Sequence, residues 1–138
     1  AALGRTQLHK LDGFVARRRE LVGRYNSAFA DVTWLTTPWE EPGRETGWHL
    51  YVLQFDWNAV GADQATVMAS LRDQRIGTQV LYIPVPDQPY YQEQFTDAGA
   101  SVPNARHYYE HALAIPLYPS LSNRDQDRVI QAILELNG

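Results

Sequence analysis

One stretch decides the fold of this chain: WHLYVLQF, at residues 48–55. Its aromatic and branched side chains alternate, which is typical of a β-strand with one face in a core, and the run from Asp56 to Gly61 ends it. A shorter strand is predicted just upstream, at Val32–Leu35. We therefore expect residues 48–55 to form the best-defined strand of a small sheet.

A long helical pattern precedes this sheet. Apolar residues recur at three- and four-residue steps from residue 1 to about residue 30, which predicts one N-terminal helix. At 1.5 Å per residue it would be about 45 Å long, so we expect it to project beyond its own core. The helix has no capping residue before its first turn, and the chain begins with Ala1. We therefore expect these residues to be part of a longer protein.

Downstream of the central strand, helix and strand patterns alternate. A helix is predicted over residues 64–75, capped by Asp63 and ended by Gly77, where a left-handed residue is wanted. A strand is predicted over residues 78–83. The prolines at 84, 86 and 89 should stop this strand and hold the following segment extended.

The last third of the chain repeats this alternation. We predict a short helix at Pro103–His111, a strand at Ala112–Ile115 and a final helix that opens at Ser122 with a capping-box pattern. The predicted buried side of the final helix comprises Val129, Ile130, Ile133, Leu134 and Leu136. This order of elements predicts an α/β (α+β) two-layer sandwich with a small, largely antiparallel sheet, in a single domain over residues 1–138.

Composition excludes several classes of function. The 138 residues include no cysteine, which excludes disulfide scaffolds, thiolate zinc sites and cysteine nucleophiles. The net charge of −4 argues against non-specific binding to nucleic acid or to an anionic membrane. The longest apolar stretch, around residues 50–55, is too short to span a bilayer. We expect a cytoplasmic protein that binds neither nucleic acid nor membranes.

Two charged motifs have alternative interpretations. His107 and His111 form an H-x-x-E-H pattern, which one class of zinc hydrolases uses, but the pattern is short and needs a carboxylate from a later helix. A surface helix is the simpler interpretation, and we predict no metal site. The run at residues 17–19 is Arg-Arg-Arg, followed by Glu20, and we interpret it as a solvated helix face.

The remaining candidates are a histidine and several tyrosines. His49, inside the central strand, suits a core or subunit interface better than a catalytic role. Tyr82, Tyr90 and Tyr91 flank the proline-rich segment, where they suit either the wall of a ligand site or a lid on the core. The sequence holds a single lysine, Lys10.

Several motifs, in order along the whole chain, resemble one enzyme family. They include QLHKLDGFVARRR at residues 7–19, WHLYV at 48–52, IGTQVLYIPV at 76–85, QPYY at 88–91, PNA at 103–105 and IPLYP at 115–119. This pattern is similar to the C-terminal domain of the DegT/DnrJ/StrS nucleotide-sugar aminotransferases, and within that family to the PseC-type enzymes. The resemblance implies the small domain of the type I fold of aminotransferases that use pyridoxal phosphate (PLP).

The resemblance also implies where the chemistry takes place. In this family the large N-terminal domain carries the Schiff-base lysine and most PLP contacts, and Lys10 does not lie in the Schiff-base motif. We therefore expect no catalytic residue in this chain, no cofactor bound to it alone and no transamination by it alone. The resemblance implies that the parent enzyme is a homodimer that transfers an amino group from glutamate to a UDP- or other nucleotide-linked 4-keto-6-deoxy sugar.

The small domain of such enzymes forms one wall of the substrate cleft. The matching substrate-binding positions are Leu81, Tyr82, Ile83 and Pro84, together with His49 and Tyr90. PseC-like enzymes usually carry histidines where this chain has Leu81 and Pro86, so the sugar that is accepted should differ. The alternative function is a stand-alone, non-catalytic ligand-binding or assembly module with the same fold.

Overall fold

The computed structural model describes residues 2–95 and 102–137. The helices are α1 (Ala2–Leu8), α2 (Leu11–Phe29), α3 (Trp57–Val60), α4 (Gln64–Asp73), α5 (Pro89–Gln94), α6 (Pro103–His111) and α7 (Asn123–Leu134), with 3₁₀ turns at Val85–Asp87 and Glu135–Asn137. The strands are β1 (Leu35–Thr36), β2 (Tyr51–Phe55) and β3 (Ala112–Ile115).

The strands form one antiparallel sheet in the order β1-β2-β3. Leu53 of β2 lies opposite Leu113 of β3, and both side chains are buried. Helices α2, α4 and α7 contribute buried apolar side chains to the same core as the sheet. The predicted α/β class, with a small antiparallel sheet, an N-terminal helical region and a C-terminal helix, is confirmed.

The central strand is shorter than predicted, because it begins at Tyr51 and not at Trp48. The backbone of Trp48 has φ of 46°, in the left-handed region, which a strand residue does not adopt. Its side chain is nevertheless buried in the core. The chain therefore turns at Trp48, and this turn places His49 outside the strand, where it is exposed.

The single N-terminal helix that the periodicity predicts is two helices. The N–H of Lys10 donates to the carbonyl of Gln7 at 3.0 Å, a tighter turn that separates α1 from α2. Leu3 and Leu8 of α1 are exposed, whereas α2 reaches the core only from Leu21 onward. The first turns thus lack core contacts that would favour one continuous helix.

The region after α4 corrects two further predictions. Helix α4 ends at Asp73, and the left-handed residue behind it is Arg75, with φ of 61°, and not Gly77. The strand expected at residues 78–83 is reduced to a single bridge between Gln79 and Ala114. Residues 80–83 form no ladder beyond that bridge, and Pro84 and Pro86 have no N–H to resume one.

Other differences are smaller. β1 occupies Leu35–Thr36 and not Val32–Leu35, because the N–H of Val32 closes a turn onto the carbonyl of Phe29. The segment expected to be extended after residue 84 forms a 3₁₀ turn and α5. Helix α6 and strand β3 match their predicted bounds, and the Ser122 hydroxyl caps α7 by accepting from the N–H of Asp125 at 3.0 Å.

Helix α7 is fastened to α2 by a polar side chain that the sequence pattern does not reveal. Gln126 is fully buried; its amide donates to the carbonyl of Leu21 at 2.7 Å and accepts from Nε of Arg24 at 2.8 Å. On the predicted buried side, Val129 and Ile133 are buried, whereas Leu134 is exposed. Across the described residues, no helix combines the length and the apolar character needed to cross a membrane.

Candidate functional site

A cavity of about 370 Å³ lies between the segment that follows the Gln79 bridge and helix α6. Its lining residues are Leu50, Leu81, Tyr82, Pro84, Ala105, Tyr108 and Tyr109. Three of the predicted substrate-binding residues, Leu81, Tyr82 and Pro84, therefore line one cavity.

The structure places the other three predicted residues differently. Ile83 is partly exposed beside the cavity, and its carbonyl accepts from the amide of Gln88 at 3.3 Å. Tyr90 is 65% exposed on α5, where its ring meets that of Tyr91 edge-on at 5.3 Å. His49 is exposed and precedes Leu50. These three side chains are not among those that line the cavity.

The opposite wall of the cavity comes from α6, which sequence reasoning missed. Tyr108 and Tyr109 lie in the predicted helix at Pro103–His111, and neither is among the predicted substrate-binding residues. Partial burial raises the pKa of the Tyr108 phenol, so its hydroxyl stays protonated and can donate a hydrogen bond at neutral pH. The available signal was helical spacing: Tyr108 follows Ala105 by three residues, which places both on the same side of α6.

The side chains that line this cavity are suited to binding a ligand. Its lining combines aromatic rings, aliphatic side chains and tyrosine hydroxyls, and among the described residues no charged side chain lines it. Aromatic faces stack on flat or apolar ligand surfaces, and hydroxyls bond to ligand oxygens. The arrangement thus suits a polar ligand with an apolar face, and these residues supply neither a nucleophile nor an ionised base.

The histidine pair of the H-x-x-E-H motif is engaged within its own helix. Nδ1 of His111 lies 2.8 Å from the carbonyl oxygen of His107. Within residues 2–95 and 102–137, no group of three potential ligand side chains is placed to hold a metal ion. Of the carboxylates that follow the motif, Asp127 pairs with Arg24, and Asp125 accepts from the Ser122 hydroxyl.

The interpretation of the arginine run as a solvated helix face is wrong, because Arg17, Arg18 and Arg19 are all partly buried. Arg17 donates to the carbonyl of Leu121 at 2.7 Å and pairs with Glu20, while Arg19 pairs with Glu45 at 3.1 Å. Lys10 is exposed at the turn between α1 and α2.

Comparison with known proteins identifies the family. The profile of the DegT/DnrJ/EryC1/StrS aminotransferase family matches residues 1–134. The spore coat polysaccharide biosynthesis protein SpsC of Bacillus subtilis (strain 168) is 44% identical over 137 residues, which cover 99% of this chain and 35% of SpsC. The chain therefore spans about a third of the length of this curated relative.

Solved structures agree in fold. Helicobacter pylori PseC, an aminotransferase involved in the biosynthesis of pseudoaminic acid, superposes with a TM-score of 0.88 at 23% identity, over 98% of this chain and 36% of PseC. Streptococcus pneumoniae Spr1654, solved in its PLP form, superposes with a TM-score of 0.85 at 25% identity, over 98% of this chain and 34% of Spr1654. With the family profile matching nearly every residue, this chain belongs to the DegT/DnrJ/EryC1/StrS aminotransferase family.

Proposed function

We propose that residues 1–138 are the C-terminal small domain of a longer PLP-dependent aminotransferase that acts on a sugar nucleotide. The observation that carries this proposal is the family match over residues 1–134, in a chain that covers only 35% of its relative SpsC. The parent enzyme would transfer an amino group from glutamate to a nucleotide-linked 4-keto-6-deoxy sugar. We further propose that it works in the cytoplasm as a homodimer, as the family resemblance implies.

The role proposed for this chain is to form one wall of the substrate cleft. The segment from Leu81 to Pro84, with Tyr90 and His49 nearby, would face the sugar nucleotide. Tyr82 supports this role because its side chain lines the cavity and is 78% exposed, so a ligand can reach its ring. Its ring could stack on the sugar or base while Tyr108 donates a hydrogen bond from the opposite side of the cavity.

The residues of this chain do not fit PLP itself. A Schiff base needs a lysine in an enclosed site, and the only lysine, Lys10, is exposed at a helix turn and lines none of the cavities found in the described residues. We therefore assign PLP binding and the lysine to the rest of the parent chain. On this proposal the 138 residues alone do not transaminate.

The substrate should differ from that of PseC-like enzymes. Leu81 lines the cavity and Pro86 lies in the adjoining turn, so neither offers the hydrogen bonds of the histidines usual at these positions. A site that lacks two hydrogen-bonding groups loses affinity for the ligand atoms that they would contact. We propose that the sugar accepted here presents a less polar edge to this wall.

The first experiment is the intact mass of the native protein, captured from its source with an antibody against this domain. A mass of about 45 kDa is expected, since this 15.7 kDa chain covers 35% of SpsC. A mass near 15.7 kDa would instead favour the stand-alone binding or assembly module.

The second experiment tests the substrate wall in the protein made from the complete reading frame. Tyr82→Ala should raise KM for the sugar nucleotide about 3–10-fold, the range of one aromatic contact, and leave kcat nearly unchanged. The matched control is Trp39→Ala, because Trp39 is also 78% exposed but lies outside the cavity lining. Equal kinetic effects of the two changes would contradict a binding role for Tyr82.

A further inference from the structure

The predicted substrate wall has little backbone attachment to the rest of the domain. After the Gln79 bridge, the segment at residues 80–94 forms no strand, only a 3₁₀ turn and the short helix α5. Side-chain bonds within it, from Gln88 to the Ile83 carbonyl and from Gln92 to the Pro86 carbonyl, shape the segment but do not connect it to the core. Its position therefore depends on contacts with other elements.

One ion pair makes such a connection. The guanidinium of Arg106 binds both carboxylate oxygens of Asp87: Nε lies 3.1 Å from Oδ1 and 2.8 Å from Oδ2, and Nη2 lies 2.6 Å from Oδ1. Bidentate pairs of this kind fix orientation as well as distance, because both groups are planar. Asp87 ends the 3₁₀ turn, and Arg106 lies on α6.

Helix α6 is attached to the core at its C-terminal end. It continues without a break into β3, every residue of which is buried, and the indole N–H of Trp57 donates to the carbonyl of Glu110 at 2.7 Å. Through α6 and the ion pair, the core is thus connected to Asp87.

The ion pair joins the two elements that enclose the cavity. Leu81, Tyr82 and Pro84 line it from the wall segment, and Ala105, the neighbour of Arg106, lines it from α6. We propose that Asp87 and Arg106 are positioning residues that set the spacing of the cavity walls and hold Tyr82 in place for the sugar nucleotide. This inference rests on the proposed function, since it assumes that the cavity belongs to the substrate cleft.

The experiment uses the protein made from the complete reading frame. Asp87→Asn and Arg106→Gln are compared with the charge exchange that combines Asp87→Arg with Arg106→Asp, and Arg44→Gln is the matched control because it removes an exposed ion pair with Glu41. Amide hydrogen exchange is read separately over residues 80–94 and over β2 and β3. KM and kcat are measured with the sugar nucleotide.

Each single change should speed exchange of residues 80–94 severalfold, without changing β2 or β3, and should raise KM by no more than Tyr82→Ala does, about 3–10-fold, with kcat within twofold. The charge exchange should restore both properties at least in part, and Arg44→Gln should alter neither. A purely structural pair would not produce this separation of KM from kcat.

Three results would overturn the inference. Unchanged exchange over residues 80–94 in both single variants would show that the pair does not hold the segment. Faster exchange with an unchanged KM, in an enzyme whose KM still responds to Tyr82→Ala, would show that positioning does not matter and would leave the proposed function standing. If KM responds to neither pair nor Tyr82, the substrate wall itself is refuted, and the inference falls with it.

Discussion

Arg75 occupies a backbone position that suits glycine, and replacing it should stabilise the protein. The N–H of Ile76 donates to the carbonyl of Leu71 and the N–H of Arg75 to that of Arg72, both at 2.8 Å. These two bonds define a Schellman motif at the end of α4, with Arg75 at its left-handed position, φ 61°. Within the described residues, the Arg75 side chain makes no hydrogen bond or ion pair that its removal would forfeit.

The size of the effect follows from two opposing terms. A left-handed conformation costs an L-residue about 1–2 kcal/mol, which glycine does not incur. The greater freedom of glycine in the unfolded chain offsets about 0.5–1 kcal/mol of that gain. Arg75→Gly should therefore raise the free energy of unfolding by about 0.5–1 kcal/mol, or Tm by about 2–4 °C for a domain of this size.

Chemical denaturation followed by circular dichroism measures this difference, with Arg75→Ala as the control. The alanine variant loses the guanidinium but keeps the Cβ, so it should gain little. Gly61→Ala is the converse case, because Gly61 has φ of 74°. This substitution should lower the free energy of unfolding by about 1 kcal/mol. If Arg75→Gly proves no more stable than Arg75→Ala, the left-handed backbone at residue 75 does not carry the expected conformational cost.

Three further outcomes are expected. Leu53→Ala, in the centre of the sheet, should lower the free energy of unfolding by about 2–5 kcal/mol in a denaturant titration, whereas a loss below about 1 kcal/mol would mean that the core is packed differently. Gln126→Leu should cost about 1–3 kcal/mol in the same assay, because it removes the bond to the Leu21 carbonyl and leaves Nε of Arg24 without its acceptor; a neutral result would contradict the role of this amide. Hydrogen bonding from Arg106 lowers the pKa of Asp87, so carbon NMR should show its carboxyl titrating below the ordinary value of about 3.9. The ion pair is then present at neutral pH and is lost only as the pH falls through that lowered pKa, and Arg106→Gln should return the pKa to the ordinary range.

Local signals predicted the elements that carry their own start and stop residues. Helix α6 begins at Pro103, where proline suits the first helical position, and α7 begins after the Ser122 cap. The amphipathic spacing of α2 predicted its buried face from Leu21 to Phe29. Each of these signals lies within a few residues of the structure that it specifies.

Local signals failed where tertiary contacts override the secondary-structure preference of a residue. Trp48 has a side chain typical of strands, yet burial of its ring against Tyr51 accompanies a left-handed backbone, and the strand begins later. Gly77 looked like the end of α4, but the helix ends two residues before Arg75, with the left-handed conformation at Arg75 itself. Neither outcome could be derived from spacing.

The sequence likewise predicted only part of the candidate site. The family resemblance pointed to the wall at Leu81, Tyr82 and Pro84, whereas the opposite wall, with Tyr108 and Tyr109, became evident only when α6 was placed beside it. His49 and Tyr90 lie outside the cavity lining, although Leu50, the neighbour of His49, is part of it.

By itself, the sequence determined the α/β class, the family and most helix and strand positions, because periodicity, caps and prolines act over a few residues. Only the tertiary structure decided which side chains meet. Gln126 binds the Leu21 carbonyl across 105 residues, and Asp87 binds Arg106 across 19. Such contacts depend on how helices and strands pack in the whole core, because that packing brings residues distant in the sequence together. No local sequence pattern specifies it.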